Sequence, residues 1–234
     1  MSGSARELEL KAVVPDAAAL AARLTKAGAR CTFRGMMRDR RYDLPDGSLV
    51  ARDEVLRVRT FEPSGAGAAH AELTWKGPTK RTDGGLPGKS GRRADGAEKA
   101  RGGDTGFLRR DYKEREELQF GVGDAATAGE VLGRLGFALS DAIDSCVEYH
   151  EVAGAVVRIE WYPRMDVLVE VEGEPGTIER AVVATGIPRG EFNADRLLDF
   201  AARYRERTAT EPVLRLDRLG ADETPGFPVW AEHK

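Results

Sequence analysis

Charged and apolar residues alternate strictly in Glu7-Leu8-Glu9-Leu10-Lys11. Successive side chains of a β-strand point to opposite faces, so Leu8 and Leu10 share one face and Glu7, Glu9 and Lys11 the other. One such strand alone is most simply a strand with a solvated face. The pattern recurs, however. Val55-Leu56-Arg57-Val58-Arg59 puts two arginines on one face, and Glu72-Leu73-Thr74-Trp75-Lys76 puts Glu, Thr and Lys together. Val157-Arg158-Ile159-Glu160-Trp161 and Val169-Glu170-Val171-Glu172 repeat it. The acids gathered in this way are Glu7, Glu9, Glu117, Glu160, Glu170 and Glu172; the bases are Lys11, Arg57, Arg59, Lys76, Arg115 and Arg158. Carboxylates suit a hard divalent cation, and arginines offer forked donors to phosphate oxygens. Polar strand faces that carry both signs of charge, two residues apart, point to a barrel with a polar interior.

The elements that must position these residues read as about eight strands: 6–14, 31–43, 55–61, 69–77, 109–120, 137–152, 155–162 and 166–173. Residues 49–51 read as a brief extra pairing. A helix begins at Pro15-Asp16, carries Leu20 and Leu24 one turn apart, and stops at Gly28. A second, 125–135, has Val131, Leu132 and Leu135 as its apolar stripe. Two more occupy 177–185 and 194–207, the last with Leu197, Leu198 and Ala201 facing inward. Residues 78–108 are rich in Gly, Lys and Arg and poor in large apolar groups, so they read as a mobile insertion between two strands. Its basic excess would either draw in an anionic substrate or be functionally idle. The prediction is one domain over 5–207 and a tail over 208–234.

Composition narrows the function classes. The chain has 234 residues, net charge −3 and 32% charged residues, more than a surface needs, so part of that charge is expected to line a site. No bulk basicity favours nucleic acid. Cys31 and Cys146 fit no zinc or redox spacing and indicate a reducing compartment. No apolar run spans a bilayer and no signal-peptide pattern opens the chain, so the expected location is the cytoplasm, without a membrane partner. His70, His150 and His233 are scattered, and no phosphate-binding loop or dinucleotide motif is present.

Glu-x-Glu-x-Lys near the N-terminus, Leu-Arg-Val-Arg, Leu-Thr-Trp-Lys-Gly-Pro, Arg-Glu-Glu and a late Glu-Val-Glu-Gly resemble, in that order, the CYTH domain family, the triphosphate tunnel metalloenzymes. The resemblance covers roughly residues 5 to 205. It implies an α+β fold: an antiparallel eight-stranded β-barrel closed into a tunnel, with helices outside. It implies Mg²⁺ or Mn²⁺ on Glu7, Glu9, Glu170 and Glu172, with Glu117 and Glu160 nearby; Glu160 stands where relatives commonly have Asp. It assigns phosphate contacts to Lys11, Arg57, Arg59, Lys76 and Arg115, and gives Lys11 the task of orienting or activating the attacking water. The implied substrates are tripolyphosphate, thiamine triphosphate or a nucleoside triphosphate.

Two departures from the family pattern stand out. Relatives carry a Tyr-Phe-Asp run after the second strand, whereas this chain has Arg41-Tyr42-Asp43, which turns Tyr42 to the other face. Relatives also carry a Lys-x-Arg pair on the strand near Cys146, where this chain reads Asp144-Ser145-Cys146-Val147-Glu148-Tyr149. Arg41 or Arg158 could compensate. The favoured activity is metal-dependent hydrolysis of a terminal phosphoryl group. The alternatives are an adenylate cyclase and a non-catalytic triphosphate or polyphosphate binder. The sequence leaves the oligomeric state open and is compatible with a homodimer.

Overall fold

A computed structural model of the chain describes residues 5–83 and 111–231. Its nine strands are β1 (Ala5–Val13), β2 (Arg30–Asp43), β3 (Val55–Pro63), β4 (His70–Lys76), β5 (Lys80–Asp83), β6 (Asp111–Val122), β7 (Ala138–Val152), β8 (Ala155–Trp161) and β9 (Leu168–Glu172). Eight of them pair antiparallel in the order β1-β9-β8-β7-β2-β3-β4-β6, and β6 returns to β1, so the sheet closes. The expected barrel is therefore the observed one. Strand β5 prolongs the line of β4 along β6. It falls within the segment read as an insertion, of which residues 84–108 lie outside the described residues.

The period-two pattern decides which way this barrel is built. Leu8, Leu10 and Ala12 point outward and are buried, as are Val157, Ile159, Val169 and Val171. They meet Leu20 and Leu24 of α1 (Ala17–Lys26) and Ile178, Ala181 and Val182 of α4 (Pro175–Thr185). The larger apolar core thus lies between the barrel wall and its helices, and the lumen is left mostly to the charged residues, with a smaller apolar cluster of Met37, Phe61 and Val147 on its inward faces. Helix α1 starts where Asp16 accepts a hydrogen bond from the Ala19 amide, which satisfies one of the free first-turn donors. Helix α4 ends at Gly186 with φ of 69°, a left-handed conformation that favours glycine, and a Cβ there would push aside the Arg23 guanidinium. The β7–β8 hairpin turns on Ala153 and Gly154, both at positive φ, as a two-residue turn matching strand twist requires.

Three local expectations change. Residues 49–51 do not pair; Ser48–Ala51 form a short helix, α2, because Asp43 accepts from the Leu49 and Val50 amides. In α3 (Ala125–Arg134) only Leu132 is buried, while Val131 and Leu135 are exposed, since the helix lies on the barrel through a narrow face. In α5 (Leu197–Thr208) the buried residues are Phe200 and Ala201, whereas Leu198 is 63% exposed. Beyond α5 the tail packs on the outside of the barrel. Val213 bridges Arg164, Asp144 receives the Leu216 amide at 3.0 Å, and Trp230 meets Trp161 edge-on at 5.9 Å. No helix among the described residues is long and apolar enough to cross a membrane.

Candidate functional site

The inward positions of all eight barrel strands line one cavity of about 610 Å³. β1 brings Glu7, Glu9 and Lys11; β3 brings Arg57 and Arg59; β4 brings Lys76. β6 brings Lys113, Arg115 and Glu117, β8 brings Arg158 and Glu160, and β9 brings Glu170 and Glu172. Every site residue named from the sequence therefore faces the lumen. The register sets who meets whom: Glu7 lies opposite Arg115, Glu9 lies between Lys113 and Glu172, and Lys11 lies opposite Glu170.

The acids separate into two kinds. Glu7, Glu170 and Glu172 each present an oxygen within 4.8 Å of the others. Three hard oxygen donors at that spacing suit Mg²⁺ or Mn²⁺. Burial, then the charges of Glu7 and Glu170, raise the Glu172 carboxyl to about 7. Such mutual repulsion is what a bound cation would relieve. The other acids stand outside this trio, each beside one or more cations. Glu9 takes Lys11 at 2.6 Å and also Lys113; Glu117 lies 3.5 Å from Lys76 and 3.7 Å from Arg57. Glu160 accepts from Ser145 at 2.8 Å and lies 3.2 Å from Arg158.

The bases are partly committed as well. Lys76 lies 2.5 Å from Glu7, Lys11 is 2.6 Å from Glu170, and Arg158 is 2.9 Å from the same Glu170. Burial alone would lower the Lys11 ammonium, but Glu170 and Glu9 outweigh it and raise it, so Lys11 stays charged. Lys113 goes the other way: burial and the neighbouring Lys11 lower it despite Glu9. Two buried guanidinium donors, the Nε atoms of Arg41 and Arg57, have no hydrogen-bond partner, and the Nε of Arg158 has only the Glu160 carboxylate, at 3.2 Å. Buried donors are rarely left so, and an unmade bond to a charged group is costly.

Sequence reasoning passed over Asp39, Lys113, Asp53 and Tyr162. Asp39 on β2 holds Arg59 through two bonds of 2.5 and 2.9 Å and touches Arg57 at 3.5 Å. Burial would raise its carboxyl, but Arg59 and Arg57 hold it far below the usual range. Asp53 receives Arg115 at 2.7 Å, and Tyr162 lines the cavity beside Glu160. Lys113 and Asp39 did carry a signal: each stands two residues from a lumen arginine, Arg115 and Arg41, on the same strand face. Arg41 indeed faces the cavity, while Tyr42 points outward against Gly129 of α3. On β7 the inward residues Ile143, Ser145 and Tyr149 bring no cation, while β6 carries a Lys-x-Arg pair, Lys113 and Arg115.

No protein-family model and no curated protein matches this sequence. Solved structures do. The chain is similar to a Vibrio parahaemolyticus protein described as a candidate adenylate cyclase, at 12% identity and a TM-score of 0.61, covering 86% of this chain and 99% of that one. It is similar to a conserved hypothetical protein of Pyrococcus furiosus at 16% identity and a TM-score of 0.57, covering 83% and 99%. A Pyrococcus horikoshii protein aligns at 19% identity and a TM-score of 0.56, covering 84% and 98%. These likenesses show the fold: a CYTH-like closed antiparallel β-barrel.

Proposed function

We propose that this chain hydrolyses the terminal phosphoryl group of a triphosphate bound in the barrel lumen. The observation that carries this reading is the gathering of Arg41, Arg57, Lys76, Lys113, Arg115 and Arg158 around one cavity. A polyanion with closely spaced oxygens satisfies such donors, and charge-assisted bonds to phosphate are among the strong ones. Glu7, Glu170 and Glu172 would hold Mg²⁺ or Mn²⁺, which supplies charge neutralisation for the phosphoryl oxygens. Arg57, Arg158 and Arg41 grip the chain of phosphates. Lys11, kept charged by Glu9 and Glu170, orients the attacking water as a donor and cannot serve as its base.

Phosphorus NMR of the protein with tripolyphosphate and with ATP, in Mg²⁺ or Mn²⁺, tests this. The expected products are pyrophosphate and orthophosphate from the first, and ADP and orthophosphate from the second. Cyclic AMP and pyrophosphate from ATP, with tripolyphosphate untouched, would establish cyclase chemistry instead. Saturable binding without any product would leave a triphosphate-binding protein.

A further inference from the structure

One mouth of the tunnel differs in kind from its charged middle. Tyr149 on β7, Phe33 on β2, Phe61 on β3 and His70 on β4 stand on four adjacent strands and line the same cavity. Cross-strand pairing puts Phe33 opposite Tyr149 and Phe61 opposite His70. Phe61 and His70 stack with centroids 4.7 Å apart, and Phe33 meets Phe61 edge-on at 5.3 Å and Tyr149 at 6.0 Å. His70 keeps an exposed face. Two lumen cations reach this wall, with Arg59 5.8 Å from the Phe61 ring centre and Arg158 5.8 Å from that of Tyr149. Glu72 also lines the cavity, across from Arg59, whose guanidinium is already taken by Asp39.

An inorganic polyphosphate has no use for such a wall. Phosphate oxygens are repelled by the negative faces of aromatic rings, and aromatic surface left open to a charged lumen gains nothing from them. A flat ring, by contrast, stacks on an aromatic wall whatever its substituents. A carboxylate beside it accepts from ring or exocyclic N–H groups. We propose that Phe33, Phe61, His70 and Tyr149 form a subsite for the flat heteroaromatic ring of the substrate, with Glu72 accepting from its N–H groups. The inference rests on the triphosphate reading of the lumen. Arg59 and Arg158 join the two regions, so a ring held at the mouth leaves its phosphates among the lumen cations.

Calorimetric titration decides it, with ATP and tripolyphosphate each used as the non-hydrolysable β,γ-imido analogue in Mg²⁺. The native chain should bind the ATP analogue roughly tenfold or more tightly than the tripolyphosphate analogue, the range stacking of one base supplies. His70→Ala, at an exposed position, and Phe33→Leu, which keeps the bulk, should each bring that ratio down several-fold. A native ratio of one or less overturns the inference on its own, as does a ratio that neither variant moves. Failure of both analogues to bind overturns the triphosphate reading, and the ring subsite with it.

Discussion

Glu172 is the residue whose environment speaks most directly about a cation. Its carboxyl is raised to about 7 by burial and by the charges of Glu7 and Glu170. The sign follows from proton counting. The folded chain holds this proton more tightly than the unfolded chain, so its contribution to stability is full at acid pH and fades as pH rises to 7. Glu172→Gln has no such proton to lose. The variant should therefore gain on the native, metal-free protein as pH rises through 7, by about 1–2 kcal/mol after allowing for partial exposure. Melting curves from pH 5 to 8 measure this; parallel curves would mean that the trio does not repel. In the same range, native Mn²⁺ affinity should climb with pH and level off above 7, whereas in the variant it should be weaker and flatter, as calorimetry would show.

At the scale of elements, strand β5 explains how the segment between β4 and β6 is anchored. The backbones of Asp83 and Asp111 face each other as a pair, so residues 84–110 leave and rejoin the barrel at neighbouring points. A two-residue Asn-Gly turn can span that gap. Replacing 84–110 by it should leave the melting temperature unchanged or slightly higher, because a shorter loop costs less closure entropy. Loss of a cooperative transition in a thermal scan would show that the removed residues belong to the core. The barrel strands were legible because alternation survives wherever one face is apolar and the other charged, as in Glu7-Leu8-Glu9-Leu10-Lys11. The helix stripes were less so: Val131, Leu135 and Leu198 share the apolar type of Leu132 and Phe200, yet only packing against the barrel decides which are covered. Charged lumen residues were legible singly. Their pairings were not, because Asp39 meets Arg59, and Phe33 meets Tyr149, only once the strand register is set.

Over the whole molecule, the barrel carries its apolar core on the outside and its ion pairs within. An arriving triphosphate competes with carboxylates for the lumen cations: Lys76 must loosen from Glu7, and Lys11 and Arg158 from Glu170. Two of the three clustered acids are those very partners. A cation on the trio frees the bases, and a polyanion on the bases frees the acids. The two ligands should therefore bind cooperatively, and by linkage the gain is mutual. Mn²⁺ should raise the affinity for the imido analogue of tripolyphosphate by about tenfold or more, and the analogue should raise that for Mn²⁺ by the same factor. Titrations in both orders test it, and independent affinities would refute the exchange of partners. The inverted arrangement also bears on how the protein would respond to selection. Buried ion pairs add little to stability compared with well-packed apolar groups of similar size. A library selected only for resistance to heat should thus fill the tunnel with aliphatic residues while keeping Leu10, Val169 and Ile178, and its most durable members would be solid, inert barrels.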